Sequence, residues 1–208
     1  RFELFKNCRS IRDELLVRMG FEVGLRAKEN IGLLLNDFTY HNGRKKGLLS
    51  LFDELKNDDS KQVFEYFLGG EYTKATVNGG GGGRSRTIYF TRELLKRMRM
   101  YYLSERAEIM ENFGMEHDTL FVKTDSVTGG HPIATDTATE RFKVLRKGIP
   151  SIGADNSYHD LRHTFATNLF HELLQGEPAI NIGINHPAII TVAKRLGHKI
   201  DATKVMAE

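Results

Sequence analysis

His159-Asp160-Leu161-Arg162-His163-Thr164-Phe165-Ala166-Thr167, followed further on by Leu196-Gly197-His198, is the stretch on which the reading of this chain turns. It places an arginine and two histidines where they can converge on one anionic group. A guanidinium presents a planar fork of donors that matches two phosphate oxygens and keeps its charge at physiological pH. A histidine donates or moves a proton near neutrality. Together they are equipment for chemistry on a phosphodiester.

Two other readings compete locally. His159 and His163 are four residues apart and share a helix face, as two metal ligands would. The metalloprotease pattern, however, requires Glu directly after the first His, and here Asp160 follows. Arg162 also puts a fixed cation beside any metal held there, so we expect no metal. The other alternative is a helix with ordinary polar and core histidines, which the segment taken alone leaves open.

The rest of the chain narrows the choice. The run 159–167 together with Arg195-Leu196-Gly197-His198 resembles the second conserved block of the tyrosine recombinases, the phage integrase family. The resemblance implies His159 and Arg162 as two members of an active site and His198 as a third. Gly24-Leu25-Arg26-Ala27-Lys28-Glu29 resembles the family's first block, with Arg26 gripping a non-bridging phosphate oxygen. Glu29 and His163 are expected behind the reacting groups, holding local geometry.

The family also implies a lysine on a β-hairpin between the blocks. Val63 to Leu68 reads as a strand, Glu71 to Val77 as a second and Arg84 to Thr91 as a third, with the alternation Thr87-Ile88-Tyr89-Phe90. Gly79 to Gly83 form a run with no side chain to pack, as suits a hairpin tip. Lys74, leading into that run, is the candidate for the family's general acid. Arg84 and Arg86 on the return strand are expected either to contact phosphates or to form a charged edge.

Composition agrees with this. The 208 residues are 40% hydrophobic and 27% charged, which suits one domain over residues 1–208 with a substantial core. A formal charge of +3 does not by itself announce nucleic acid. Local basic runs do more, and Lys194, Arg195 and Lys199 are expected to line a DNA channel with Arg84 and Arg86. The single cysteine, Cys8, provides no disulfide framework and reads as a small buried hydrophobe in a reducing compartment. No apolar run reaches the length of a membrane span and no signal peptide opens the chain. The expected location is therefore the cytoplasm, at the nucleoid of a bacterium or phage host.

Helical spacing runs from Phe2 to Phe21, then comes the Gly-Leu-Arg turn and a helix carrying Ile31 to Leu35. A short helix is expected over Gly47 to Leu55, and a long one from Thr91, as cap, through about residue 112. Leu120-Phe121-Val122 reads as a short buried strand, and Thr137 to Lys147 as helix. Asp155 or Ser157 starts the helix of His159 and Arg162. Pro187 opens a last helix that Gly197 stops. The resulting class is mixed α+β, mainly α-helical with a small antiparallel sheet, as in the tyrosine recombinase (DNA breaking and rejoining) catalytic fold.

One feature departs from the family. Its nucleophile is a tyrosine about two and a half helical turns after the Leu-Gly-His histidine, where this chain has Met206 and Ala207. All seven tyrosines precede His198, and Tyr158, next to His159, is expected to face away from the phosphate. The tyrosine then lies after Glu208, has been substituted, or was lost in a natural relative. Since the chain opens at Arg1 without methionine, we expect a catalytic fragment lacking the family's N-terminal helical domain. The resemblance implies strand exchange on double-stranded DNA through a 3′-phosphotyrosyl link, in a homotetramer, with no cofactor, metal or ATP. The rivals are a non-cleaving DNA-binding relative, a type IB topoisomerase and a metal-dependent hydrolase built on His159 and His163.

Overall fold

The structure, a computed structural model, describes residues 2–73, 84–177, 183 and 185–198. The helix expected over residues 2–21 is two helices, α1 (Phe2–Lys6) and α2 (Ile11–Glu22). Ser10 divides them: its backbone is extended, and its side chain accepts a hydrogen bond from the Asp13 N–H at 3.1 Å, capping α2. Cys8 sits in this break. Burial, followed by the charge of Asp13, pushes its thiol up to about 11, which suits a packing role rather than a nucleophile.

After α2 the chain reverses at Gly24, whose φ of +74° lies in the left-handed region that glycine reaches without penalty. A 3-10 turn follows over Ala27–Gly32. The helix expected at Ile31 to Leu35 does not form, because tertiary partners take its backbone groups. Leu34 bridges Thr119, the Leu35 N–H donates to Asp118 O at 2.7 Å, and the Tyr66 hydroxyl accepts from the Leu34 N–H while donating to Gly32 O, both at 2.8 Å. Strands β1 (Phe38–Tyr40) and β2 (Gly43–Lys45) form a small antiparallel hairpin. Three residues per strand are too few to display a period, and sequence reading did not anticipate them. Helix α3 (Leu48–Asn57) occupies the segment where a short helix was expected.

The larger hairpin pairs β3 (Val63–Leu68) with β4 (Arg86–Thr91), in register from Val63 opposite Thr91 to Leu68 opposite Arg86. Alternation turns Phe64, Tyr66 and Leu68 inward together with Phe90, Ile88 and Arg86. Glu71 and Tyr72, expected in a further strand, belong instead to a 3-10 turn over Gly70–Tyr72. Residues 74–77 of that expected strand, including Lys74, and the glycine run 79–83 lie outside the described residues, as do Lys199, Met206 and Ala207.

Thr91 caps α4 (Arg92–Tyr101), accepting from the Leu94 N–H at 3.2 Å, and a π turn over Tyr102–Arg106 continues the rod into α5 (Ala107–Phe113). Leu120-Phe121-Val122 is fully buried as expected, yet among the described residues it forms no named strand: Val122 bridges Pro132, and Thr119 just before it bridges Leu34. Helices α6 (Thr137–Leu145), α7 (Tyr158–Leu174) and α8 (Pro187–Leu196) complete the order. The class is the expected one, mixed α and β and about half helical, with small antiparallel sheets. No helix among the described residues is long and apolar enough to cross a membrane.

The core is built from helical stripes. Leu15, Leu16 and Met19 of α2 and Leu94, Leu95 and Met98 of α4 are essentially inaccessible, and burying each such side chain contributes about 1.5–3 kcal/mol. Helix α2 also packs along α7, and α6 is held to it by Asp13, which accepts from Arg12 and Arg141, both at 3.1 Å. These contacts hold the turn at Gly24 against α7, where a Cβ at residue 24 would come within 2.4 Å of Phe165 Cδ1. Gly24→Ala should therefore lower unfolding stability by about 1–3 kcal/mol, read from urea midpoints. Gly114→Ala, also at positive φ (+58°) but with nothing within 4 Å, is the control and should cost less. Equal losses would mean that the contact with Phe165 is not felt.

Candidate active site

The site is organised by one carboxylate. Glu29, on the 3-10 turn, is 0% exposed, and a lone buried carboxylate would be costly. Its two oxygens are instead filled by donors. Oε2 accepts from the Arg26 N–H at 2.8 Å and from Arg86 Nη2 at 2.6 Å; Oε1 accepts from Arg26 Nη1 and from Arg86 Nη1, both at 2.9 Å. Arg162 Nη1 lies 3.8 Å from Oε2. Burial pushes the Glu29 carboxyl upward, but the Arg86 hydrogen bond and charge, with help from Arg26 and Arg162, hold it below the usual carboxylate range.

Arg162 is delivered from the first turns of α7. Ser157 caps that helix, accepting from the His159 N–H at 3.3 Å, while the Asp160 carboxylate accepts from the Ser157 N–H at 2.6 Å. Arg162, 2% exposed, donates through Nη1 to Gly24 O and through Nη2 to Leu196 O. One guanidinium thus ties the turn before Arg26 to the turn before His198. Burial first, then repulsion from Arg26, draws it down to about 9, with Glu29 opposing. It remains a cation at neutral pH.

His159 stands exposed on α7, one turn before His163, with ring centroids 4.4 Å apart in an edge-on arrangement. His198 follows Gly197, whose φ of +68° ends α8. Both rings reach solvent, yet the partial burial that each retains is the first cause lowering the basicity of His159 and His198. For His159 the neighbouring His163, Arg162 and Arg26 add to this; for His198 the further causes are Arg162, Arg26, Arg86 and His159. Both are therefore neutral at pH 7, each ring able to donate one hydrogen bond and accept another. Arg26, with 24% of its side chain exposed, completes a rim above the buried Arg162.

Of the residues singled out from sequence, the structure brings together Arg26, Glu29, His159, Arg162 and His198, with His163 beside His159. The charges that act on His159 include Arg162 and Arg26, and among the described residues no three His, Cys, Asp or Glu side chains gather as metal ligands. Tyr158 is buried, donating to Leu16 O at 2.7 Å and accepting from Asn30 Nδ2 at 3.3 Å, so it faces the core as expected. Arg84 and Lys194 are exposed.

Two expected DNA contacts are placed differently. Arg86 is turned inward, 7% exposed, and spends its fork on Glu29 rather than on an external phosphate. Arg195 is half-buried, stacked over the Tyr89 ring at 3.4 Å from its centroid. The role of Arg86 was signalled by its spacing: residues 86, 88 and 90 alternate onto one face, and two of them are apolar.

Comparison with known proteins gives this arrangement its context. The phage integrase family matches over residues 70–177, just over half the chain, and the chain belongs to that family. Tyrosine recombinase XerA of Saccharolobus solfataricus is 25% identical over 192 residues, covering 92% of this chain and 44% of that protein. Transposase A from transposon Tn554 of Staphylococcus aureus is 24% identical over 196 residues, 94% of this chain and 43% of the transposase. The chain spans less than half the length of these relatives. The XerH site-specific recombinase, solved bound to its difH substrate in a pre-cleavage complex, shares the fold at a TM-score of 0.57 and 18% identity, covering 98% of this chain and 46% of that one. Arg86, His159 and Arg162 fall inside the family match. Arg26 and His198 fall outside it, and the contacts of Glu29 and Arg162 gather them to the same place.

Because Glu29 is held below its ordinary value of 4.5, its contribution to stability is present above that pH and is lost as pH falls through the lowered value. Glu29→Gln leaves three arginines facing one neutral amide. At pH 7 it should destabilise the fold by about 3–5 kcal/mol and shrink the acid-induced loss between pH 5 and pH 3, as measured by chemical unfolding at each pH. Equal stability of variant and parent at pH 7 would refute this account of the cluster.

Proposed function

We propose that this chain is the catalytic part of a DNA strand-exchange enzyme acting on double-stranded DNA. The observation that carries the reading is the gathering of Arg26, Arg162, His159 and His198 around one buried carboxylate, in a chain of the phage integrase family. A scissile phosphate seated on the rim would meet Arg26 and the two neutral histidines, with Arg162 beneath.

In the proposed reaction a tyrosine hydroxyl attacks phosphorus, the bond to the 5′ oxygen breaks, and a 3′-phosphotyrosyl link forms. The freed 5′ hydroxyl of a partner strand then attacks that link and returns the tyrosine. Arg26, Arg162 and His198 stabilise the charge that grows on the non-bridging oxygens. His159 assists removal of the tyrosine proton, and Lys74 protonates the leaving 5′ oxygen. The bond energy is conserved in the phosphotyrosyl link, so the scheme needs no nucleotide cofactor, and the fixed cations do the electrostatic work that metal ions do in other phosphoryl transfers. The homotetramer on two duplexes and the nucleoid location belong to the same proposal, as do DNA contacts by Arg84, Lys194 and Lys199.

The test uses the protein as it occurs, on a nicked suicide duplex that traps the covalent adduct. Arg162 also ties two loops, so Arg26→Ala is the cleaner probe. It should slow adduct formation by about 100- to 1000-fold and reduce the salt slope of binding by about 1. Tyr158→Phe should leave the adduct rate unchanged while costing about 1 kcal/mol of stability. Binding without any adduct from the unsubstituted protein would favour the non-cleaving relative, and relaxation of supercoils without exchange would favour a topoisomerase.

A further inference from the structure

Strand β4 carries a charge where its alternation calls for an apolar side chain. Phe90 and Ile88 face the core, and the next inward position, opposite Leu68, is Arg86. Its fork is bidentate to Glu29, and its Cδ lies where a Cβ at Gly197 would approach within 3.1 Å. Three residues along the strand, Tyr89 lies under the guanidinium of Arg195. Strand β4 is thereby fastened at two points to the segment that ends in His198. Buried ion pairs are a weak source of stability, since apolar residues of similar size often serve as well. Arg86 Nε, moreover, is buried with no hydrogen-bond partner among the described residues. Packing alone does not account for a guanidinium here.

We propose that Arg86 is a positioning residue for strand cleavage: through Glu29 it fixes Arg26 and Arg162, and through its contact with Gly197 it sets the place of His198. The inference rests on the function proposed above. Arg86 itself meets no phosphate. It makes the return strand of the hairpin part of the scaffold on which the reacting groups are aligned, and its planar fork suits that task better than the single ammonium of lysine.

The experiment compares the intact protein with Arg86→Met and Arg86→Lys. It measures single-turnover adduct formation on the nicked duplex, Kd for the same duplex, and the imidazole titration of His198 by NMR. Arg86→Met should slow adduct formation by about 10- to 100-fold while Kd changes by less than about threefold. His198, which Arg86 helps to keep neutral after burial, Arg162 and Arg26, should titrate at higher pH in that variant. Arg86→Lys should recover part of the rate.

A Met variant that cleaves at the parental rate, or whose Kd worsens in step with its rate, overturns the proposal. If the Met variant does not fold, the Lys variant decides, and parental cleavage with an unmoved His198 titration overturns it. Failure of both to fold assigns Arg86 a purely structural role and overturns it too. Absence of adduct from the unsubstituted protein sinks the functional reading instead, and an unmoved His198 in Arg86→Met then rejects the positional coupling on its own.

Discussion

Three guanidinium groups and one buried carboxylate form the interaction on which the rest of this structure depends. Two unit charges 4 Å apart at an effective dielectric of 20 interact by about 4 kcal/mol. Arg26, Arg86 and Arg162 therefore repel one another by amounts that would disperse them if Glu29 were neutral, and Glu29 would not remain charged at 0% exposure without them. Each side of the cluster is the condition for burying the other. The participants come from a turn after α2, a strand end and the middle of a helix turn in α7, so the fold has to bring these elements into register before the cluster can close.

The electrostatic balance fits the proposed chemistry. Three guanidiniums against one carboxylate leave an excess of positive charge at rest, while burial and the neighbouring cations lower the basicity of His159 and His198. A phosphodiester brings one negative charge, and its pentavalent transition state carries more. A site already over-supplied with fixed cations, most of them withdrawn from solvent, stabilises the later state more than the earlier one and requires no reorganisation to do so. Burial draws Arg162 down to about 9, which leaves it charged at neutral pH.

Local signals made much of this legible from sequence. The Ser157 cap, the Thr91 cap, the alternating strand 63–68, and Pro187 and Gly197 bracketing α8 each depend on backbone groups a few residues away, so a short window of sequence contains the physics. The extended path of Leu33, Leu34 and Leu35 and their neighbours' backbone bonds do not depend on such a window. They follow from Asp118, Thr119 and the Tyr66 hydroxyl, none of which is near in sequence. The same holds for Arg86. Read singly it is a basic residue on a strand and invites a surface role; read with Ile88 and Phe90 it occupies a core position, and a charged residue at a core position implies a buried partner of opposite sign. What sequence could not supply was that the partner is Glu29, since their pairing joins the first block of the motif to the hairpin.

The placement of Arg162 bears on how tightly stability and activity are joined in this site. As an arginine on a motif it invites the simple role of gripping phosphate. In the folded chain its fork is spent first on Gly24 O and Leu196 O, the carbonyls two residues before Arg26 and two before His198. A guanidinium suits this duty because its donors are coplanar and fixed in angle, so satisfying two carbonyls fixes the separation of the loops that bear them. An ammonium would meet either carbonyl without fixing both. Arg162 therefore sets the separation of the loops that carry Arg26 and His198 as well as adding charge beside them, and its removal alters geometry before it alters electrostatics. At Arg26 the order is reversed: Glu29 keeps its bidentate partner in Arg86 and its bond from the Arg26 backbone N–H, so loss of the side chain removes charge from the rim while the loops hold their places.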